Sequence, residues 1–107
     1  MMYEIPKEAF KQRLEDKMNF AIINVQSKDK AAKIDLKDIV NVPYSGSFAT
    51  DMEKQYSNKN QNILLFSLEK NDAAPATAAS ELAKAGYHFV YYYLGEPTDV
   101  LLDKGLN

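Results

Sequence analysis

Ser67 is the side chain in this sequence best placed to do chemistry. It directly follows the apolar run 63–66, and an alanine-rich stretch begins at Pro75. This pattern predicts a buried strand, a loop and a helix, and the amide groups at a helix N-terminus favour an anion or an activated nucleophile. A serine nucleophile also needs a base, which is normally a histidine. Serine chemistry at this loop therefore depends on where the histidine lies.

His88 is the only histidine, and it lies at the start of the strand predicted to follow that helix. If the two strands are parallel neighbours, Ser67 and His88 lie at opposite ends of the sheet, about 15 Å apart. A Ser–His pair is therefore not expected. Glu69 and Asp72 are three residues apart and could share a divalent cation, but two loop acids without further ligands more often serve as solubilising charges. The sequence predicts no metal site and no cofactor.

Cysteine is absent from the chain, which excludes disulfides, thiolate metal sites and cysteine nucleophiles. The formal net charge is −2, and residues 62–107 hold three Lys/Arg against six Asp/Glu. Without a basic patch, nucleic acid is not an expected partner. Glu4 stands where a secretory signal would be basic, and no apolar run approaches the ~20 residues of a membrane span. We therefore expect a cytoplasmic protein that does not bind a membrane.

Four tyrosines, Tyr87 and residues 91–93, lie in or near the predicted strand that follows the alanine-rich helix. Alternate residues of a strand point to opposite faces that helices cover, so packing explains most of them. Ligands collect at the carboxyl ends of parallel strands. Tyr92 and Tyr93, near that end, could therefore line a pocket or a partner surface beside the loop.

The 107 residues, 46% hydrophobic and 26% charged, fit one domain over residues 1–107. Apolar runs of strand length alternate with stretches of helical spacing. The predicted strands cover 21–26, 39–42, 63–66 and 89–94, and the predicted helices cover 6–16, 47–56, 75–85 and 98–104. The charged stretch 27–38 predicts a solvated loop or a one-turn helix. This alternation predicts an α/β fold with a mostly parallel sheet of about four to five strands and helices on both faces.

The order of these segments resembles the rhodanese-like domain family over nearly the whole chain. Residues 22–26 (Ile-Ile-Asn-Val-Gln) are similar to the family's Leu-Ile-Asp-Val-Arg strand. Residues 35–43 resemble its His-Ile-x-Gly-Ala-x-Asn-Ile-Pro segment, and residues 82–87 resemble its Leu-x-x-x-Gly-Tyr helix end. Residues 94–95 and 105–107 resemble its closing Leu-x-Gly-Gly and Gly-Leu-Pro patterns. The resemblance implies an α/β domain whose catalytic loop would follow the strand 63–66.

The sequence departs from the family at the residues that the family's reaction needs. Active rhodanese-like sulfurtransferases carry sulfur as a persulfide on a cysteine directly after that strand, and this position is Ser67. A serine cannot form a persulfide, and its hydroxyl stays protonated at neutral pH without a strong base. The family's loop contains glycine and arginine, whereas residues 67–74 contain neither, and the family's strand Asp and Arg are replaced by Asn24 and Gln26. Related phosphatases and arsenate reductases need the same cysteine, so no catalytic residue and no enzyme activity is predicted.

These matches and departures favour a catalytically inactive rhodanese-like domain that acts as a protein-interaction or regulatory module. Its predicted surface is the loop of Ser67, Leu68, Glu69, Lys70, Asn71, Asp72, Ala73 and Ala74, with Tyr92 and Tyr93 beside it. One alternative is a domain that binds a small anion or another small ligand at the loop Ser67–Ala76. Another is a sulfurtransferase-related protein that uses a partner's thiol. The sequence specifies no oligomeric state.

Overall fold

Five parallel strands form one sheet at the centre of the molecule. The computed structural model describes residues 1–16, 19–31, 39–69 and 71–96. The strands are β1 (Met2–Glu4), β2 (Ala21–Asn24), β3 (Val40–Asn41), β4 (Asn62–Phe66) and β5 (Phe89–Tyr93). Their order in the sheet is β1-β5-β4-β2-β3, and every neighbouring pair is parallel. The predicted α/β class with a parallel sheet in a single domain is confirmed.

The helices lie on both faces of this sheet, as the alternating pattern predicts. Within the described residues they are α1 (Lys7–Glu15), α2 (Lys28–Ala31), α3 (Phe48–Gln55) and α4 (Ala74–Lys84). Helices α3 and α4 cover one face, and α1 covers the other. The short α2 lies in the charged stretch, where a one-turn helix is one of the two predicted outcomes, and residues 32–38 are outside the described residues.

Strand β4 joins the two layers of the core. Ile63 and Leu65 belong to the layer formed with α3 and α4, and Leu64 and Phe66 belong to the layer formed with α1. All four side chains are fully buried. A strand covered on both faces requires such a continuous apolar run. Burial of each side chain of this size contributes about 1.5–3 kcal/mol to stability.

Strand β1 is an element that the sequence pattern did not predict. Its three residues are all exposed, so they lack the apolar alternation of a half-buried strand. The strand forms one edge of the sheet and pairs only with β5 among the described strands. The rings of Tyr3 and Tyr91 stack across that pair, with centroids 5.5 Å apart.

Helix α4 begins one residue before the predicted start and ends one residue before the predicted end. Pro75 lies in its first turn, where a missing N–H costs no helical hydrogen bond. Gly86 follows the helix with a φ of +100°, in the left-handed region that favours glycine. The buried side chains of the helix are small except for one leucine: Pro75, Ala78, Ala79 and Leu82. The predicted helix 98–104 lies outside the described residues.

Candidate functional site

The loop between β4 and α4 leaves the sheet at the carboxyl ends of its strands. Asn24 is the register partner of Phe66, and the Val25 N–H donates to the Phe66 carbonyl at 2.9 Å. The ends of β2 and β4 are therefore side by side, at the edge where parallel α/β proteins collect ligands. We call residues 24–26, 41 and 67–73, without the undescribed Lys70, the carboxyl edge.

Ser67, the residue directly after β4, is only 2% exposed. Its hydroxyl donates to Asp72 Oδ2 at 2.7 Å and accepts a hydrogen bond from the Glu69 N–H at 3.1 Å. Both interactions are internal to the loop. The side chain of Ser67 therefore links Glu69 and Asp72 within the loop.

Asp72 places its carboxylate at the N-terminus of α4. Its Oδ1 accepts a hydrogen bond from the Ala74 N–H at 2.9 Å, while its other oxygen holds Ser67. Pro75 supplies no N–H, and the Thr77 N–H donates to the Ala73 carbonyl at 3.1 Å. One backbone donor at the positive end of the helix dipole is thus satisfied by a carboxylate of the chain itself. A free anion at this point would meet that negative charge.

Glu69 ties the loop to α2. Its Oε1 lies 2.6 Å from Lys30 Nζ, and both side chains are about half exposed, 50% and 55%. The hydrogen bond to Glu69, followed by the charge of that carboxylate, raises the pKa of Lys30 above its ordinary value. Sequence analysis missed Lys30, because a lysine in an alternating charged stretch carries no signal for a partner 39 residues away.

The end of β2 is held by amide side chains. Asn24 Oδ1 accepts the Gln26 N–H at 3.0 Å, and Asn41 Nδ2 donates to the carbonyls of Asn24 and Gln26, each at 2.9 Å. These bonds turn the chain after Asn24, so the strand stops two residues before its predicted end. The amide oxygen Oε1 of Gln26 is buried and has no hydrogen-bond partner among the described residues.

Three described residues of the loop face solvent: Glu69, Asn71 and Ala73. Asn71 has a φ of 65°, a left-handed conformation that asparagine adopts more readily than most residues. Leu68 is half-buried and packs against the core layer under α1. The predicted loop surface therefore divides into a buried inner part and an exposed outer part.

His88 lies far from Ser67. Phe66 pairs with Tyr93 and Asn62 pairs with Phe89, so the residue before β5 and the residue after β4 are at opposite ends of the sheet. His88 is exposed, and its backbone N–H donates to the Lys59 carbonyl at 3.0 Å. The structure does not bring a Ser–His pair together.

Tyr92 and Tyr93 lie on opposite faces of the sheet. Tyr93 is 6% exposed and stacks on Phe10 of α1, with ring centroids 4.4 Å apart and an interplanar angle of 8°. It is a core residue, and this corrects the expectation that it forms a surface with Tyr92. Tyr92 is half-buried against the layer of α3 and α4.

The described part of the chain contains no group of three or more His, Asp or Glu residues suited to a metal ion. The two acids predicted as weak candidates are engaged elsewhere, Glu69 with Lys30 and Asp72 with Ser67. Across the same described ranges, no helix has the length and apolar character needed to cross a membrane. The chain matches no protein-family model and none of the curated proteins searched.

Proposed function

We propose that this chain is a catalytically inactive rhodanese-like domain that acts as a protein-interaction module. The partner would contact the exposed outer part of the loop, namely Glu69, Asn71 and Ala73. The observation that carries this proposal is the use of Ser67: the residue at the nucleophile position is buried and holds the loop closed through Asp72. The same scaffold therefore presents a shaped loop without a reactive group.

Two further features support a module without catalysis. The carboxyl edge contains no arginine and, among its described residues, no lysine that could hold a transferred anionic group. Two of its amide side chains, those of Asn24 and Asn41, bond the backbone at the end of β2. Loops held by a rigid scaffold are the usual place for recognition residues. Lys30 and Glu69 add to this rigidity by joining the loop to α2.

The anion-binding alternative is disfavoured by the position of Asp72. Its carboxylate already accepts the Ala74 N–H at the helix N-terminus, and Pro75 removes a second donor. A titration tests this directly: the labelled protein is mixed with thiosulfate, sulfate or phosphate at fixed ionic strength, because exposed charges respond to salt alone. We expect no saturable amide shifts in residues 67–77. Saturable shifts confined to those residues would favour the ligand-binding function.

The interaction proposal is tested by an affinity capture experiment on matched variants. Ala73→Arg adds a bulky charge to the exposed loop, and Gln55→Arg adds the same side chain at the exposed end of α3. We expect partners captured by the wild-type protein to be retained by Gln55→Arg and lost by Ala73→Arg. Both variants should keep the wild-type melting temperature, since exposed substitutions change stability little. Equal capture by both variants contradicts the loop as the binding surface.

The absence of catalysis is tested with thiosulfate sulfurtransferase assays of the wild type and of Ser67→Cys. We expect no turnover from either protein, because a thiol at position 67 would be buried and the described residues of the carboxyl edge include no cationic group for the transferred sulfur. Adding a low-molecular-weight thiol to the wild-type assay also covers the alternative in which a partner supplies the thiol. Robust turnover in any of these assays contradicts the proposal.

A further inference from the structure

The edge of the sheet at β1 concentrates the exposed apolar side chains of the described chain. Of the five large hydrophobic residues that are exposed in the described chain, three lie in β1 or directly before it, Met1 (71%), Met2 (37%) and Tyr3 (42%), and Phe89 (42%) begins the neighbouring strand β5. The fifth, Val40, lies in β3 at the opposite edge. Edge strands that stay single are normally protected by short length, charges, prolines or bulges. Within β1 these features are its length of three residues and the charge of Glu4.

The outward backbone groups of β1 can be assigned from its pairing with β5. The Val90 N–H donates to the Met1 carbonyl at 3.3 Å, and the Ile5 N–H donates to the Tyr92 carbonyl at 2.9 Å. In a parallel ladder alternate residues face the same neighbour, so Met1, Tyr3 and Ile5 face β5. The N–H and C=O groups of Met2 and Glu4 therefore face away from the sheet, and no described residue pairs with them.

We propose that this edge binds a second copy of the chain, with the two β1 strands antiparallel about a two-fold axis at Tyr3. In this register Met2 of each copy lies opposite Glu4 of the other. All the outward N–H and C=O groups of these residues are then used, in four hydrogen bonds. The result is a continuous ten-stranded sheet with closed two-fold symmetry.

The side chains of β1 select this register. Moving the axis to Glu4 would set the two Glu4 carboxylates opposite each other, which like charges disfavour. With the axis at Tyr3, the two Tyr3 residues form a non-hydrogen-bonded pair, in which Cα atoms are about 4.5 Å apart. The Tyr3–Tyr91 stack of each copy then continues across the axis.

A second copy fits this edge better than an unrelated strand because the edge is complementary to itself. Its outward donors and acceptors are equal in number, and the Glu4 carboxylate, the only charged side chain within β1, faces a neutral methionine across the axis. With only three residues in the strand, the interface is small. We therefore expect a dimer that dissociates on dilution, not an obligate one.

Sedimentation velocity over about 10 μM to 1 mM protein tests the dimer through a matched pair of variants. Glu4→Pro removes an outward N–H while every β1–β5 hydrogen bond stays possible, and proline is tolerated on such edges. Glu4→Gln removes the same charge but keeps the N–H. We expect Glu4→Pro to raise the dissociation constant about tenfold or more, and Glu4→Gln to leave it within about twofold of wild type. A wild-type chain that stays monomeric throughout, or equal association by the two variants, overturns the proposal.

Disulfide trapping tests the register. The chain contains no native cysteine, so an introduced cysteine is the only thiol that can form a disulfide. In the proposed dimer the two copies of residue 3 have Cα atoms about 4.5 Å apart, within the range that a disulfide spans, whereas the two copies of residue 2 are about 8–9 Å apart. Under mild oxidation Tyr3→Cys should therefore form a covalent dimer much faster than Met2→Cys. Equal rates, or a faster Met2→Cys, overturn the register and the two-fold pairing built on it.

Discussion

The hydroxyl of Ser67 and the carboxylate of Asp72 form a hydrogen-bonded pair within the loop between β4 and α4. A nucleophile needs an accessible oxygen and a base that can take its proton. Ser67 is buried, and its hydroxyl bonds to Asp72, which also accepts the Ala74 N–H at the start of α4. Its position after β4 was predictable from the apolar run before it. The hydrogen bonds were not, because they depend on how the intervening loop folds.

Asp72→Ala should lower the free energy of unfolding by about 1–3 kcal/mol, since it removes the acceptor of the Ala74 N–H at the start of α4 and leaves a buried hydroxyl without its acceptor. Chemical denaturation measures the loss. Asp51→Ala is the matched control, because Asp51 accepts a hydrogen bond from Ser47 at the start of α3 but on an exposed surface. We expect its cost to stay below about 1 kcal/mol. Equal losses would show that burial of the Ser67–Asp72 pair adds nothing.

Gln26→Met should raise the free energy of unfolding by about 1 kcal/mol, because it replaces a buried, unpartnered amide oxygen with an apolar group of similar length. The hydrogen bonds at this residue use its backbone N–H and carbonyl, so the variant keeps them. Gln26→Glu should lower stability, since it buries a charge. Urea denaturation of the two variants gives the comparison. A Gln26→Met protein less stable than wild type would mean that the amide oxygen does have a partner in solution.

Among the strands and helices, the buried ones were predicted from the sequence more accurately than the exposed ones. Strand β4 and helix α4 were predicted within one residue at each end, because a continuous apolar run and a run of helical spacing are both strong patterns. Strand β1 was missed because an exposed edge strand shows no periodicity. Strand β2 was predicted two residues too long, since the turn after Asn24 depends on Asn41, which is distant in sequence.

Gly86→Ala tests the end of α4. The φ of +100° at Gly86 is strained for any residue with a Cβ atom, although nothing lies within 4 Å of the site where that atom would be. We expect a loss of about 1 kcal/mol in the free energy of unfolding from the backbone alone. Gly46→Ala has the same open surroundings without a left-handed φ, so it should be neutral or stabilising by up to about 1 kcal/mol. A Gly86→Ala protein as stable as Gly46→Ala would contradict this account of the helix end.

At the scale of the whole molecule, contacts between distant segments hold the layers together. Tyr44 donates its hydroxyl proton to Glu81 at 2.6 Å, and Tyr87 donates to the Tyr56 carbonyl at 2.6 Å. The partners are 37 and 31 residues apart in the chain. No local pattern predicts such pairs, because each depends on α3 and α4 being packed side by side on the same face of the sheet.

These contacts predict a loss of stability in alkali. The hydrogen bond to Glu81, then burial and the charge of Glu81, raise the pKa of Tyr44 above its ordinary value. Burial raises the pKa of Tyr56, and burial followed by the charge of Glu53 raises that of Tyr87. The folded protein therefore keeps protons that the unfolded chain releases from about pH 10 upwards, so the free energy of unfolding falls as the pH rises. Below about pH 9 these groups contribute no pH dependence, because both states are protonated.

Urea denaturation from about pH 8 to pH 11 measures this slope, with Tyr44→Phe as the informative variant. Phenylalanine removes both the Glu81 hydrogen bond and the titrating hydroxyl, so Tyr44→Phe should be less stable at neutral pH and should lose less stability between about pH 9 and pH 11. Lys30 titrates in the same pH range, but it is exposed and solvent screens its ion pair with Glu69. It therefore adds little to the pH dependence of stability. If the free energy of unfolding of Tyr44→Phe falls with pH as steeply as that of the wild type, Tyr44 does not contribute to the pH dependence. Tyr56 and Tyr87 are then its source. A wild-type protein equally stable at both ends of the range would contradict all three tyrosine shifts.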